Sequence, residues 1–184
     1  MSYIEITKDN IEDNHICCAL GAKQYENAIN QKKRWLKARM DKGLVFYRLN
    51  ERAKVFIEYL PADEVWVLDE AGPYFQLMAL TWNSLAASPA FKQQVKSDFV
   101  NEKGITIYYT AQCPFAVGML EDLRELTEKK GIQFQSIQLS SKEEAQKSPA
   151  IWTTFSVFFE GEFVTHEIMS INKFEKLLHK LLFA

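Results

Sequence analysis

Apolar residues recur at helical spacing in two places near the end of the chain: Met119, Leu120, Leu123 and Leu126, then Phe174, Leu177, Leu178 and Leu181. Steps of three and four put such residues on one side of a helix, so each segment carries one apolar stripe that needs a sheet or a second helix to cover it. Between and around them, ITIYYT (105–110), IQFQSIQL (132–139), FSVFF (155–159) and EFVTHEI (162–168) read as strands. SKEEAQKS (141–148) reads as a short helix, Glu160-Gly161 as a tight turn between two strands, and Ser170 as the cap of the last helix. Nearer the start, YIEI (3–6) is a short strand, and Ile29, Leu36 and Met40 mark one side of a helix that Gly43 ends. LVFYRL (44–49) and RAKVFIEYL (52–60) form a hairpin around Asn50-Glu51, and VWVL (65–68) and YFQLMAL (74–80) follow as further strands.

The stretch NSLAASPAFKQQVKSDFVNEKG (83–104) lacks sustained alternation and carries small residues and a proline. It divides the α/β (α+β) chain into a first region, 1–82, a linker, 83–102, with room for a short helical piece, and a second region, 103–184. In the second region a strand–helix–strand unit, a short helix, a hairpin and a final helix give the layout of the thioredoxin and glutaredoxin architecture. The first region is a sheet with few helices to cover it.

Composition narrows the function classes. With 47% apolar residues and a net charge of -2 over 184 residues, the chain can bury one large core or two modest ones. No apolar run approaches the roughly 20 residues of a membrane span, and the opening MSYIEITKDN is unlike a signal peptide, so a cytoplasmic protein without a membrane partner is expected. Three cysteines, two of them adjacent, suit a reducing compartment better than a disulfide framework. Lys and Arg are spread along the chain, which argues against a nucleic-acid surface.

Cys113 carries the most pointed chemistry. It falls between the strand ITIYYT and a helix read from about Ala116, with Pro114 and Phe115 as its neighbours. Unpaired amides and the positive end of a helix dipole favour a thiolate at such a place. Ala116 occupies the second position of a C-x-x-C pair, so a thiol reaction needs a monothiol route or an external thiol. Pro149 is the one proline available to lie opposite the cysteine, though far upstream of the Glu160-Gly161 turn. The plainer reading makes Cys113 a small packing residue.

Other residues invite weaker readings. His15, Cys17 and Cys18 suggest a soft metal, but adjacent cysteines rarely share one tetrahedral centre and a fourth ligand is missing, so no metal is expected. Glu58 is a candidate general base for a substrate amine, while ordinary strand alternation sets it on the solvent face. His166 and Glu167 are adjacent on a strand and point to opposite sides, which makes His166 an edge or surface residue. Lys32, Lys33, Arg34, Lys37 and Arg39 wind around one helix as a solvated face. Phe56, Trp66, Tyr74, Phe75 and Trp82 lie where a sheet needs cover, so they are expected to pack between the two regions or against a second copy of the chain.

Two long stretches also resemble a known family: HICCA with RWLKARMDKGLVFYRLNERAKVFIEYLPADEVW, and YYTAQCPF with KEEAQKSPAIWTTFSVFFEGEFVTHEI. Together they are similar to the YoaP-like proteins, members of the GNAT acetyltransferase superfamily with their own C-terminal domain. The resemblance covers most of the chain and implies an N-acetyltransferase that uses acetyl-coenzyme A, joined to a thioredoxin-like domain. Such transferases hold the coenzyme pyrophosphate on the amides of a Q/R-x-x-G-x-G/A segment. All seven glycines of this chain are isolated, with no G-x-G anywhere, and RAKVFIEYLPADEVWVLDEA runs straight into GPYFQLMALTW. The first region therefore reads as an internally shortened transferase domain in which no bound cofactor is expected. Three activities follow as alternatives: a non-catalytic interaction protein, a thiol module built on Cys113, and an active N-acetyltransferase.

Overall fold

A computed structural model of the protein describes residues 2–17, 23–50, 55–61, 64, 75–77 and 100–183. Strands β1 (Tyr3–Ile6), β2 (Val45–Leu49), β3 (Phe56–Pro61) and β4 (Phe75–Leu77) form an antiparallel sheet in that order. Helix α1 (Glu26–Met40) covers it. Leu36 from the helix meets Ile6, Phe46 and Leu60 from the strands and Ile11 and Ile16 from the connection between β1 and α1. The fully buried positions of α1 are Ala28, Lys32 and Leu36, at steps of four, whereas the expected markers Ile29 and Met40 are only half-buried. A lysine thus sits in the middle of the covered stripe.

The second sheet has the order β6-β5-β7-β8. Strand β5 (Ile105–Tyr109) pairs in parallel with β6 (Phe134–Gln138) on one side and antiparallel with β7 (Phe155–Phe159) on the other, and β7 pairs antiparallel with β8 (Glu162–Thr165). A parallel pair requires a crossover, supplied here by α2 (Pro114–Gly118) and α3 (Leu120–Lys129). The helix read from about Ala116 therefore begins two residues earlier, and it breaks at Met119, which ends α2 and starts α3. The short α4 (Lys142–Ala145) precedes β7, and α5 (Ile171–Phe183) closes the chain. Leu123 of α3 and Phe174 and Leu178 of α5 bury against Ile105, Ile107, Phe155 and Val157, so both amphipathic helices lie on one side of this sheet, as their stripes require.

The hairpin turn between β7 and β8 is left-handed at both centres, with φ 50° at Glu160 and 89° at Gly161, a backbone that matches the twist of paired strands. It also grips the segment leading into β5. Glu160 accepts a hydrogen bond from the Gly104 amide at 3.0 Å, and Gly161 accepts one from the Val100 amide at 2.8 Å. Val100, at the end of the expected linker, is buried and belongs to this part of the molecule. Residues 83–99 of that stretch, the VWVL strand and the turn residues 51–54 lie outside the described residues.

Candidate functional site

The two sheets meet where α1 lies against α2. Tyr25, the residue before α1, stands edge-on to Phe115 with ring centroids 4.9 Å apart. Gly118 faces the same ring so closely that a Cβ there would come within 2.4 Å of it. Further along α1, Trp35 packs with Leu139 and Ala145. Phe115 is therefore held as much by the first sheet's helix as by its own.

A chain of polar groups crosses this junction. Lys32 Nζ lies 3.9 Å from a carboxylate oxygen of Glu58, and both side chains are largely buried. Glu58 shares the covered side of β3 with Leu60 and half-buried Phe56, while Ile57 faces out. The solvent-face reading of Glu58 is thus corrected: alternation holds, but with the opposite sign, because α1 covers the side on which Glu58 points and brings Lys32 to meet it. Burial pushes the Glu58 carboxyl above the ordinary range, with the Lys32 charge and the Gln112 carboxamide opposing that shift. Its Oε1 has no hydrogen-bond partner among the described residues. On its other side Gln112 accepts a hydrogen bond from the Thr154 hydroxyl at 3.0 Å. The run Lys32, Glu58, Gln112, Thr154 ends beside Cys113.

Cys113 occupies the N-cap of α2, half-buried, with Pro114 at the first helical position and Ala116 fully buried below. Its loop is tied to the chain entering β7 by that Gln112–Thr154 contact and by the Thr110 amide bonding to the Thr154 carbonyl at 3.2 Å. Thr154, then, is the residue these bonds bring to the cysteine loop. Pro149, the expected neighbour, lies five residues upstream in the connection from α4, and every described peptide bond is trans. Thr154 carries no sequence signal beyond its place just before a strand.

Beside this loop runs a groove of about 480 Å3. Arg34, Trp35 and Arg39 of α1 form one wall, and Ala111, Gln138 and Ser140, from the carboxyl ends of β5 and β6, form the other.

His15 stands edge-on to Phe56 at 5.9 Å and Cys17 is buried, while Cys18 lies outside the described residues; no metal-ligand cluster occurs among the described residues. His166 lies just past β8, exposed, with its ring stacked on Trp152 at 4.4 Å, and Glu167 pairs with Lys173. The basic residues of α1 are not one solvated face: Lys32 is buried, and Lys33 and Lys37 both pair with Glu12. Of the aromatic set, Phe56 packs into the first core, and the side chains of Trp66, Tyr74, Phe75 and Trp82 lie outside the described residues. No described helix is long and apolar enough to cross a membrane.

The described residues form a mixed α/β fold with two sheets and covering helices, consistent with an acetyltransferase-type chain. The protein belongs to the YoaP-like family. A family model described as YoaP-like matches residues 133–176. The chain is 63% identical over 250 residues to a Bacillus subtilis (strain 168) protein named "Uncharacterized N-acetyltransferase YoaP", covering 98% of this chain and all of that one. Because the match extends over 250 residues against 184 here, part of the relative has no counterpart in this chain. No solved structure matches it.

Acetyl-coenzyme A, which the family implies, finds no pyrophosphate cradle at the described helix start of the first sheet. Its pyrophosphate needs a helix start with bare amides that no side chain obstructs. The described α-helix of the first sheet is α1, and its start is continued backwards by a 3-10 turn, Lys23–Tyr25, and packed by Tyr25 onto α2, with the acidic Glu26 in its first turn.

Proposed function

We propose that this chain is a YoaP-like acetyltransferase relative that no longer uses acetyl-coenzyme A and works as a non-catalytic interaction protein. The observation that carries this reading is the absence of any G-x-G from its sequence, in a chain shorter than the relative it matches. Without a cradle of amides, nothing offsets the cost of taking pyrophosphate charge out of water. The direct passage from RAKVFIEYLPADEVWVLDEA to GPYFQLMALTW is where the missing coenzyme strand and helix would stand. Glu58 supports the same view, since a base for an amine substrate needs access and this carboxylate lies buried with Lys32. Titration calorimetry with acetyl-coenzyme A tests it. The expected result is no saturable heat up to about 1 mM, and a dissociation constant near 1 μM overturns the reading.

A second reading has its own support: the second half as a thioredoxin-like thiol module. Cys113 opens α2 beside Pro114, and its loop is fixed through Gln112 and Thr154. With Ala116 in place of a resolving cysteine, the Cys113 thiolate of such a module attacks an external disulfide, forming a mixed disulfide with one half and releasing the other half as a thiol. A second external thiol then attacks the mixed disulfide to free Cys113. Reaction with a low-molecular-weight disulfide, followed by intact-mass measurement, is expected to add one adduct that Cys113→Ser removes. An adduct that persists in Cys113→Ser sinks this reading.

A further inference from the structure

The groove beside the cysteine loop is unusual in its charge. The chain carries a net -2, yet the groove's charged lining residues are Arg34 and Arg39, and no carboxylate lines it. Its volume, about 480 Å3, lies within the roughly 300–1,000 Å3 typical of small-molecule sites. It opens at the carboxyl ends of the parallel strands β5 and β6, where ligands of α/β sheets commonly bind.

The other basic residues of α1 show which group is available to a ligand. Lys32 faces Glu58, and Lys33 and Lys37 share Glu12. Arg39 lies close enough to Glu143, outside the lining, to help hold that carboxyl below its ordinary range, after the stronger effects of its own backbone, Ser141 and Lys142. Arg34 has no carboxylate partner among the described residues, and it is exposed. A guanidinium presents a planar fork that matches a carboxylate or phosphate with two parallel hydrogen bonds. Nearby backbone amides are already used: Leu139 donates to Tyr109 and Ser140 to the Glu144 carboxylate. Anion recognition in this groove must therefore come from side chains. Trp35, held by Leu139 and Ala145, gives a flat apolar surface alongside, and the small Ala38 and Ala111 leave space between the walls.

We propose that this groove binds a small organic anion, its carboxylate or phosphate on Arg34 with Arg39 behind it, and its flat apolar body along Trp35. The site is independent of the coenzyme question, because none of its residues belongs to the segment missing from the first half. Amide chemical-shift titrations of the whole chain test it with phenyl phosphate, benzoate and uncharged benzyl alcohol. Expected is saturable movement of Arg34, Trp35, Ala111 and Ser140 amides with one or both anions and none with the alcohol. The stronger anion tells phosphate from carboxylate. Arg34→Gln, an exposed change that leaves the core intact, is expected to weaken binding about tenfold, and Lys33→Gln on the same helix by less than about twofold. Absence of saturable shifts, shifts centred elsewhere, or equal loss in both variants overturns the proposal.

Discussion

Lys32 and Glu58 are an expensive pair to keep. Taking two charges out of water costs several kcal/mol per ion, and a separation of 3.9 Å with an unbonded Oε1 returns only part of it. Each single change, Lys32→Met or Glu58→Leu, is expected to lose about 3 kcal/mol in urea unfolding, because the remaining ion stays buried alone. The double variant should fall within about 1 kcal/mol of the parent or exceed it. The same pair sets a pH dependence. A carboxyl whose folded pKa is raised binds its proton more tightly when folded, so stability falls as pH rises from the ordinary carboxylate range through the raised value. Parent unfolding measured from pH 4 to 8 should show that loss, and the double variant should lack it. Period two puts Phe56, Glu58 and Leu60 on one side of β3, and although alternation alone is read as giving Glu58 to solvent, its two large apolar companions mark that side as the covered one. The counter-charge that makes burial tolerable comes from a distant helix, and spacing within β3 carries no trace of it.

At the level of elements, the α1–α2 contact depends on one small residue. Gly118→Ala puts a methyl group into the Tyr25 ring and should cost about 1–3 kcal/mol by overpacking. With Tyr25→Ala in the background the clash is gone, and the same change should be neutral or stabilise by up to about 1 kcal/mol, since alanine is the better helix former. A double-mutant cycle in urea reads the coupling directly, and additive costs would refute the contact. Helices α1, α4 and α5, strands β5 to β8 and their order along the chain were legible because amphipathic stripes, a tight turn and short strands are local signals, whereas the break between α2 and α3 at Met119 was not. Contacts between elements were not. The sequence gives no hint that Tyr25, ahead of α1, would seat itself on Phe115, or that Thr154 rather than Pro149 would reach the Cys113 loop.

For the molecule as a whole, the reading of two regions and the family membership came from the chain itself, as did the lack of a glycine-rich cradle. How the regions join did not. Trp35 packs with Leu139 and Ala145, Tyr25 with Phe115, and Gln112 lies against Glu58, so the two sheets share a core boundary. Unfolding in urea should therefore be one cooperative event, with tryptophan fluorescence and far-ultraviolet circular dichroism giving coincident transitions. Two separated steps would mean that the halves hold together only loosely.

The grip of the Glu160-Gly161 tip on Val100 and Gly104 bears on anyone who cuts this protein in two. A shortened version that starts at β5 would discard both donors, leaving the clasp around an empty collar and β5 with a frayed first rung. Starting at residue 100 keeps the clasp closed.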